Sequence, residues 1–140
     1  MSSPSDRSLV ARGIARWALA GLLAVAGASH LTWGRRGYRI VVPDWATRLT
    51  TLDKDAIVVA SGAVELVLAG ALVALPNERK TVGWLVAAFF VAVFPGNVEQ
   101  YVKHRDGFGL DTDTKRLVRL FFQPALVAWA IWSTRTQPQD

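Results

Sequence analysis

Five side chains able to do chemistry stand inside or beside apolar runs of this 140-residue chain. His30 closes AGASH, Glu65 sits in SGAVELVLAG, and Asn97 ends FPGN. Arg119 and Gln123 share RLVRLFFQP at the i, i+4 spacing of one helix face. An acid deep in an apolar segment is costly and can supply or relay a proton. An imidazole or carboxamide beside it can donate to a ligand carbonyl. Each residue also has a plain structural reading. Glu65 can form an ion pair with Arg119, or stay neutral and hydrogen-bond Gln123 or Asn97. His30 can solvate its ring at an interface. Asn97 can cap carbonyls freed by Pro95, Gln123 can do the same around Pro124, and Arg119 can snorkel. Glu99 and His104 read as loop-surface residues.

Familiar catalytic patterns are absent. There is no phosphate loop, GxGxxG, HExxH or Ser-His-Asp arrangement. Two histidines and no cysteine leave no metal or haem set, so no metal site and no intrinsic cofactor are expected. The net charge of +5 is spread around apolar runs rather than gathered on one face, which argues against nucleic acid as a partner.

The elements that must position these residues follow from hydropathy. Hydrophobic residues make up 51% of the chain, with six Trp and six Phe, which is high for a soluble domain. The spacing predicts an all-α, integral membrane four-helix bundle forming one domain over 1–140. Its spans are about 14–33, 56–75, 81–102 and 114–132, since a ~30 Å bilayer core needs ~20 helical residues. Span three reaches that length only if its helix continues through Pro95 to Val102, with a kink at the proline. Span four reaches it only if Arg119 and Gln123 lie inside, with Pro124 as a second kink. The N-terminal apolar run is too long for a signal peptide and reads as a retained span. A soluble bundle with a very apolar core is the competing reading, and the length of the apolar runs disfavours it.

Four spans place both termini on one side and the loops 34–55 and 103–113 on the other. A short helix is expected after Pro43, and Asp113 is the expected N-cap of span four. Two aromatic belts emerge, Trp17, Trp84, Trp129 and Trp132 at the terminus side, and Trp33, Tyr38, Trp45 and Tyr101 at the loop side. Bases flank both faces, so charge leaves the orientation open. Depth then groups the polar residues. His30, Glu65, Asn97, Arg119 and Gln123 all fall in the loop-side half, and the other half has none comparable. Ala20, Ala24 and Ala28, then Gly62, Glu65 and Ala69, then Ala88, Ala92 and Gly96, are the expected contact stripes.

These pieces, in order AGASHL, IVVP, SGAVELVLAGALVALPNERK, FVAVFPGN and RLVRLFFQPALVAWA, resemble the DoxX and DoxX-like family of small four-helix membrane proteins. The resemblance covers about residues 14–133. Leu31 stands where that family usually has Phe after the motif His, and Gly96 where it often has Ala. It implies a location in the bacterial cell membrane and an accessory subunit of a redox-linked membrane complex, with a partner protein in that complex or a second copy of the chain. The alternative is a membrane oxidoreductase subunit whose pocket holds a quinone-like ligand. The resemblance carries over no established catalytic residue. His30, Glu65, Asn97 and Gln123 coincide with its motif positions.

Overall fold

A computed structural model describes residues 3–107 and 109–136. Among them the chain is all-helical, with no strand. The long helices are α1 (Pro4–Leu31), α4 (Lys54–Ala74), α5 (Arg79–Val102) and α6 (Asp113–Ser133). The first long connection holds α2 (Arg35–Tyr38), a 3₁₀ turn at Arg39–Val41 and α3 (Asp44–Thr50). A second 3₁₀ turn, Pro76–Glu78, leads directly into α5.

Local chemistry sets the helix ends. Ser3 and Asp6 form a reciprocal capping box at the start of α1, with Pro4 in the first helical position. The Asp53 carboxylate accepts from Ala56 N at 2.7 Å and caps α4. At α6 the cap is Thr112, whose Oγ1 accepts from Lys115 N at 3.2 Å. The expected cap, Asp113, instead opens the helix and accepts from Arg116 at 2.7 Å. Both residues suit a cap by type, and only backbone conformation separates them.

The helix of α5 runs unbroken through Pro95 to Val102. Three helical stretches are long and apolar enough to cross a membrane, Pro4–Leu31, Lys54–Ala74 and Pro76–Val102, which fits a membrane protein. The fourth long helix, α6, is not among them, and Lys115, Arg116 and Arg119 weigh down its first turns. Large apolar side chains face outward on all four long helices, including Val25, Val67, Val91 and Phe121 at 60–71% exposure.

Helix α1 packs on α4 and α5 on α6, and further contacts join α1 to α6 and α4 to α5. One half of the interior is a dry core in which Leu19, Leu23, Leu72, Val86 and Ala130 are sealed from solvent. Trp129 ties that half together by donating from Nε1 to the Ala15 carbonyl at 2.9 Å, so it is a crossbar between α6 and α1 rather than a member of an outer belt.

The small-residue contacts differ in part from the expected stripes. On α4, Gly62, Glu65 and Ala69 are all buried on one face. On α1 the closest approach is at Gly27, between the alanines of the expected stripe. A Cβ at Gly27 would meet Gly62 O at 2.8 Å, and one at Gly62 would meet Gly27 O at 2.9 Å and His30 Cβ at 2.7 Å. On α5, Ala88 and Ala92 are exposed, Gly96 of the expected stripe is buried, and Gly83 and Ala87 are the other buried small residues. A Cβ at Gly83 would overlap Thr134. A helix apolar on every side offers periodicity no single face to select.

Gly62→Val is therefore expected to force α1 and α4 apart and to lower stability by about 1–3 kcal/mol through overpacking. Thermal unfolding in detergent checks this, with Gly70→Val as the control, since nothing lies within 4 Å of a Cβ at Gly70. Equal losses at the two positions would rule out the close crossing.

Candidate functional site

The half of the interior away from the dry core holds a partly open cavity of about 360 Å³. All five residues singled out by depth reach its wall: His30 from α1, Glu65 from α4, Asn97 from α5, and Arg119 and Gln123 from α6. The rest of the wall is largely apolar, with Leu23, Val58, Phe90 and Leu126 typical of it.

The pair His30 and Glu65 is set by the glycine crossing, because each residue lies three positions beyond its helix's contact glycine. His30 Nδ1 stands 2.8 Å from the Ala26 carbonyl and 2.7 Å from Glu65 Oε2. One Nδ1–H cannot serve both acceptors well. With the proton directed to Ala26, Glu65 Oε2 is held close without a directed hydrogen bond. It is buried and has no other partner among the described residues. Tyr38 stacks on the imidazole with ring centroids 3.5 Å apart, and Tyr38 and Ser29 share a hydroxyl hydrogen bond of 2.9 Å. Tyr38 thus belongs to the cavity wall and not to an outer belt. The side chain beside Glu65 is His30, where the sequence offered Arg119 as an ion pair or Gln123 or Asn97 as hydrogen-bond partners.

The remaining three residues divide by role. Gln123 Nε2 donates to the Phe90 carbonyl at 2.9 Å, in the α5 turn before Pro95. It is a second donor to that carbonyl, whereas the carbonyl freed by Pro95 is that of Val91, four residues earlier. Arg119 points inward, donating from Nη1 to Gln100 Oε1 at 3.1 Å, so snorkelling does not describe it. Gln100 is 1% exposed and also donates to Arg105 O at 3.2 Å. It escaped notice in the sequence, although it follows Asn97 at i+3. Asn97 is 7% exposed, and its amide makes no side-chain hydrogen bond among the described residues.

The segment 41–46 roofs the cavity, with Val41, Val42, Pro43, Trp45 and Ala46 in its wall. Gly96 admits this roof, because a Cβ there would overlap the Val41 carbonyl oxygen. Arg105 Nη1 donates to Ile40 O at 3.1 Å. Glu99 is not a loop-surface residue. Its carboxylate accepts from Asp44 N at 3.2 Å and satisfies the start of α3, where Pro43 has no side-chain cap to offer. Lys103 then bridges Asp44 and Glu99 at 2.5 Å each, and Lys54 reaches Asp44 at 2.7 Å. His104 is on the surface, paired with Asp113 at 2.7 Å.

Hydrogen bonds from Lys103 and then Lys54 hold the Asp44 carboxyl well below the ordinary carboxylate range. The same contact, with Glu99 second, raises Lys103. No group of three or more metal-ligating side chains occurs among the described residues.

Residues 19–134 match the model of a domain of unknown function, DUF8561, and the chain belongs to that family. This corrects the DoxX resemblance. Its motifs were small residues beside one polar group in apolar helices, plus a proline within a helix. Any compact membrane helix pair meets those demands, so their spacing did not specify the family. No curated protein and no solved structure matches the chain.

The roof latch has a defined pH window. Asp44's folded value is lowered, so its contribution is complete above the ordinary carboxylate pKa of about 3.9 and is lost as pH falls toward the lowered value. Lys103's is raised, so its contribution holds below about 10.4 and is lost as pH rises through the raised value. Hydrogen exchange over residues 40–50 is expected to stay slow from about pH 5 to 9 and to quicken below about pH 4, after correction for intrinsic rates. Glu99→Gln, which removes the charge at the start of α3, is expected to quicken it at neutral pH.

Proposed function

We propose that this DUF8561 chain is an integral membrane four-helix bundle that binds a small amphipathic molecule in the His30–Glu65–Asn97 cavity. In this reading α6 is the fourth span, its outer face as apolar as the others through Phe121 and Phe122 at 70% and 61% exposure. Both termini lie on one side of a bacterial cell membrane, and the cavity roof lies on the other.

One observation carries the binding role. Two polar groups in the wall of the same cavity are uncommitted: the Asn97 amide makes no hydrogen bond among the described residues, and buried Glu65 Oε2 has only the His30 Nδ1 contact at 2.7 Å, without a directed hydrogen bond. A buried polar group left unpaired costs about 1–3 kcal/mol, and native structures rarely retain one without a use. The volume suits a compact ligand, and the mix of apolar wall with a few convergent polar groups is that of small-molecule sites. Glu65 and Arg119 balance in formal charge, which favours a neutral head group able to accept from Asn97 or Arg119. A quinone-like molecule, with carbonyl oxygens at the edge of an apolar body, has this chemistry. No redox partner or reaction follows from it.

A second reading, an accessory subunit whose polar cluster only fixes packing and whose loops dock a partner protein or second copy, has its own support. His30 and Gln123 are both engaged with backbone carbonyls. Asn97 separates the readings. Asn97→Leu is expected to leave the melting temperature unchanged or higher while abolishing retention of a co-purifying small molecule in native mass spectrometry. Gln123→Leu is expected to lower stability by about 1 kcal/mol through loss of its interhelical hydrogen bond to the Phe90 carbonyl. If Asn97→Leu destabilises as much as Gln123→Leu, or if neither the parent protein nor any variant retains a small molecule or takes up an added quinone, the accessory reading stands.

A further inference from the structure

The end of the molecule opposite the cavity carries three arginines with an unmet need. The Nε atoms of Arg12, Arg16 and Arg79 are each buried and lack a hydrogen-bond partner among the described residues. Arg12 and Arg16 lie one turn apart on α1 and Arg79 opens α5, and both helices border the C-terminal end of α6. The Arg12 guanidinium lies 6.0 Å above the Trp132 ring. The Trp129 crossbar fastens α6 to Ala15, the residue before Arg16. Thr134 packs on Gly83, one turn beyond Arg79. Among the described residues the nearby acids do not answer them. Asp6 is engaged in its own capping box, and Glu78 is exposed without an ion pair among the described residues.

Two simpler explanations fall short. Snorkelling would place the guanidinium tips in water, but it leaves the three Nε–H groups buried without an acceptor. The negative end of α6 would attract cations, but none of the three Nε–H groups donates to its carbonyls. An oxyanion meets both needs, since guanidinium forks match phosphate oxygens and a phosphate can reach several donors together. Exposed Trp17, Trp84 and Trp132 flank this end, as aromatic side chains do at the headgroup level of a bilayer.

We infer that Arg12, Arg16 and Arg79 form a phosphate-binding site that seats the headgroup of an anionic phospholipid. The phosphate chemistry stands on the arginines alone. The bilayer as its source rests on the membrane location proposed above, while the site is independent of any cavity ligand.

Native mass spectrometry of the full chain, from mixed micelles of phosphatidylglycerol and phosphatidylcholine, tests this. The parent protein is expected to retain phosphatidylglycerol by about tenfold over phosphatidylcholine. R12Q/R16Q/R79Q is expected to fall to parity. R36Q/R48Q/K115Q, which removes the same formal charge at the other end, is expected to keep the preference. R12K/R16K/R79K keeps the charge but loses the Nε–H fork, and is expected to lose most of the preference even if the glutamine variant does not fold. Undiminished preference in the lysine variant, or equal loss in the control, overturns the site. A separate arm uses inorganic phosphate in lipid-free detergent. If phosphate binds the parent protein there as well as phosphatidylglycerol does, and R12K/R16K/R79K abolishes it, the site holds with soluble phosphate as its source. Cavity-ligand retention in the same spectra reads the other end independently.

Discussion

The contact between Gly27 and Gly62 governs the polar end of this protein. Each glycine meets the other's backbone carbonyl, so α1 and α4 approach at a distance no side chain permits. His30 and Glu65 each follow their glycine by three residues. One crossing therefore brings two backbones together and sets an imidazole nitrogen 2.7 Å from a carboxylate oxygen. Neither side chain needs to search for the other, because the register of the helices has already placed them. Separation of the helices by even one methyl group would cost the packing and open the pair together.

A second device lies on the facing helix, in FPGN. Pro95 removes one backbone donor from α5 without ending the helix. Gln123 of α6 reaches a carbonyl in the turn before it. Gly96 leaves room for the Val41 carbonyl and hence for the cavity roof. Asn97 then faces the cavity with its amide uncommitted. Three adjacent residues thus shape the backbone, admit the roof and supply the polar group. Glu99, half a turn further on, closes the arrangement by capping α3.

Much of this was legible in the sequence, for reasons that also explain what was not. Length alone required α5 to pass through Pro95, because a helix stopping at Phe94 could not cross a bilayer. Depth alone gathered His30, Glu65, Asn97, Arg119 and Gln123, since a polar residue in an apolar helix must turn toward its neighbours. Which neighbour it meets is a long-range fact. The spacing of Glu65 could not choose His30 over Arg119, and Glu99 looked solvent-exposed because its partner, Asp44, is 55 residues away. Tyr38 was assigned to an interface by its type, although its ring stacks on His30. The α5 stripe held only in part because that helix is apolar on several sides: Ala88 faces outward, while Ala92 borders the cavity and Gly96 is buried. The family was misread for a related cause. The motifs recorded constraints of helix packing in lipid, and those constraints are shared widely.

The two halves of the interior are built to opposite rules, and their division is itself informative. At the terminus side, leucine, valine and alanine close the space, and Trp129 and Thr134 satisfy their polar atoms on carbonyls. At the loop side the same four helices hold a void, and polar atoms inside it lack partners. Larger apolar residues at Ser61 or Asn97, both in the cavity wall, would fill space, and at Asn97 the change would also remove an uncommitted amide. Local rules of stability are therefore broken at the cavity and at the Arg12, Arg16 and Arg79 guanidiniums, while the apolar core between obeys them. Such concentrated departures are what a binding site requires, because a cavity filled for stability has nothing left to offer a ligand.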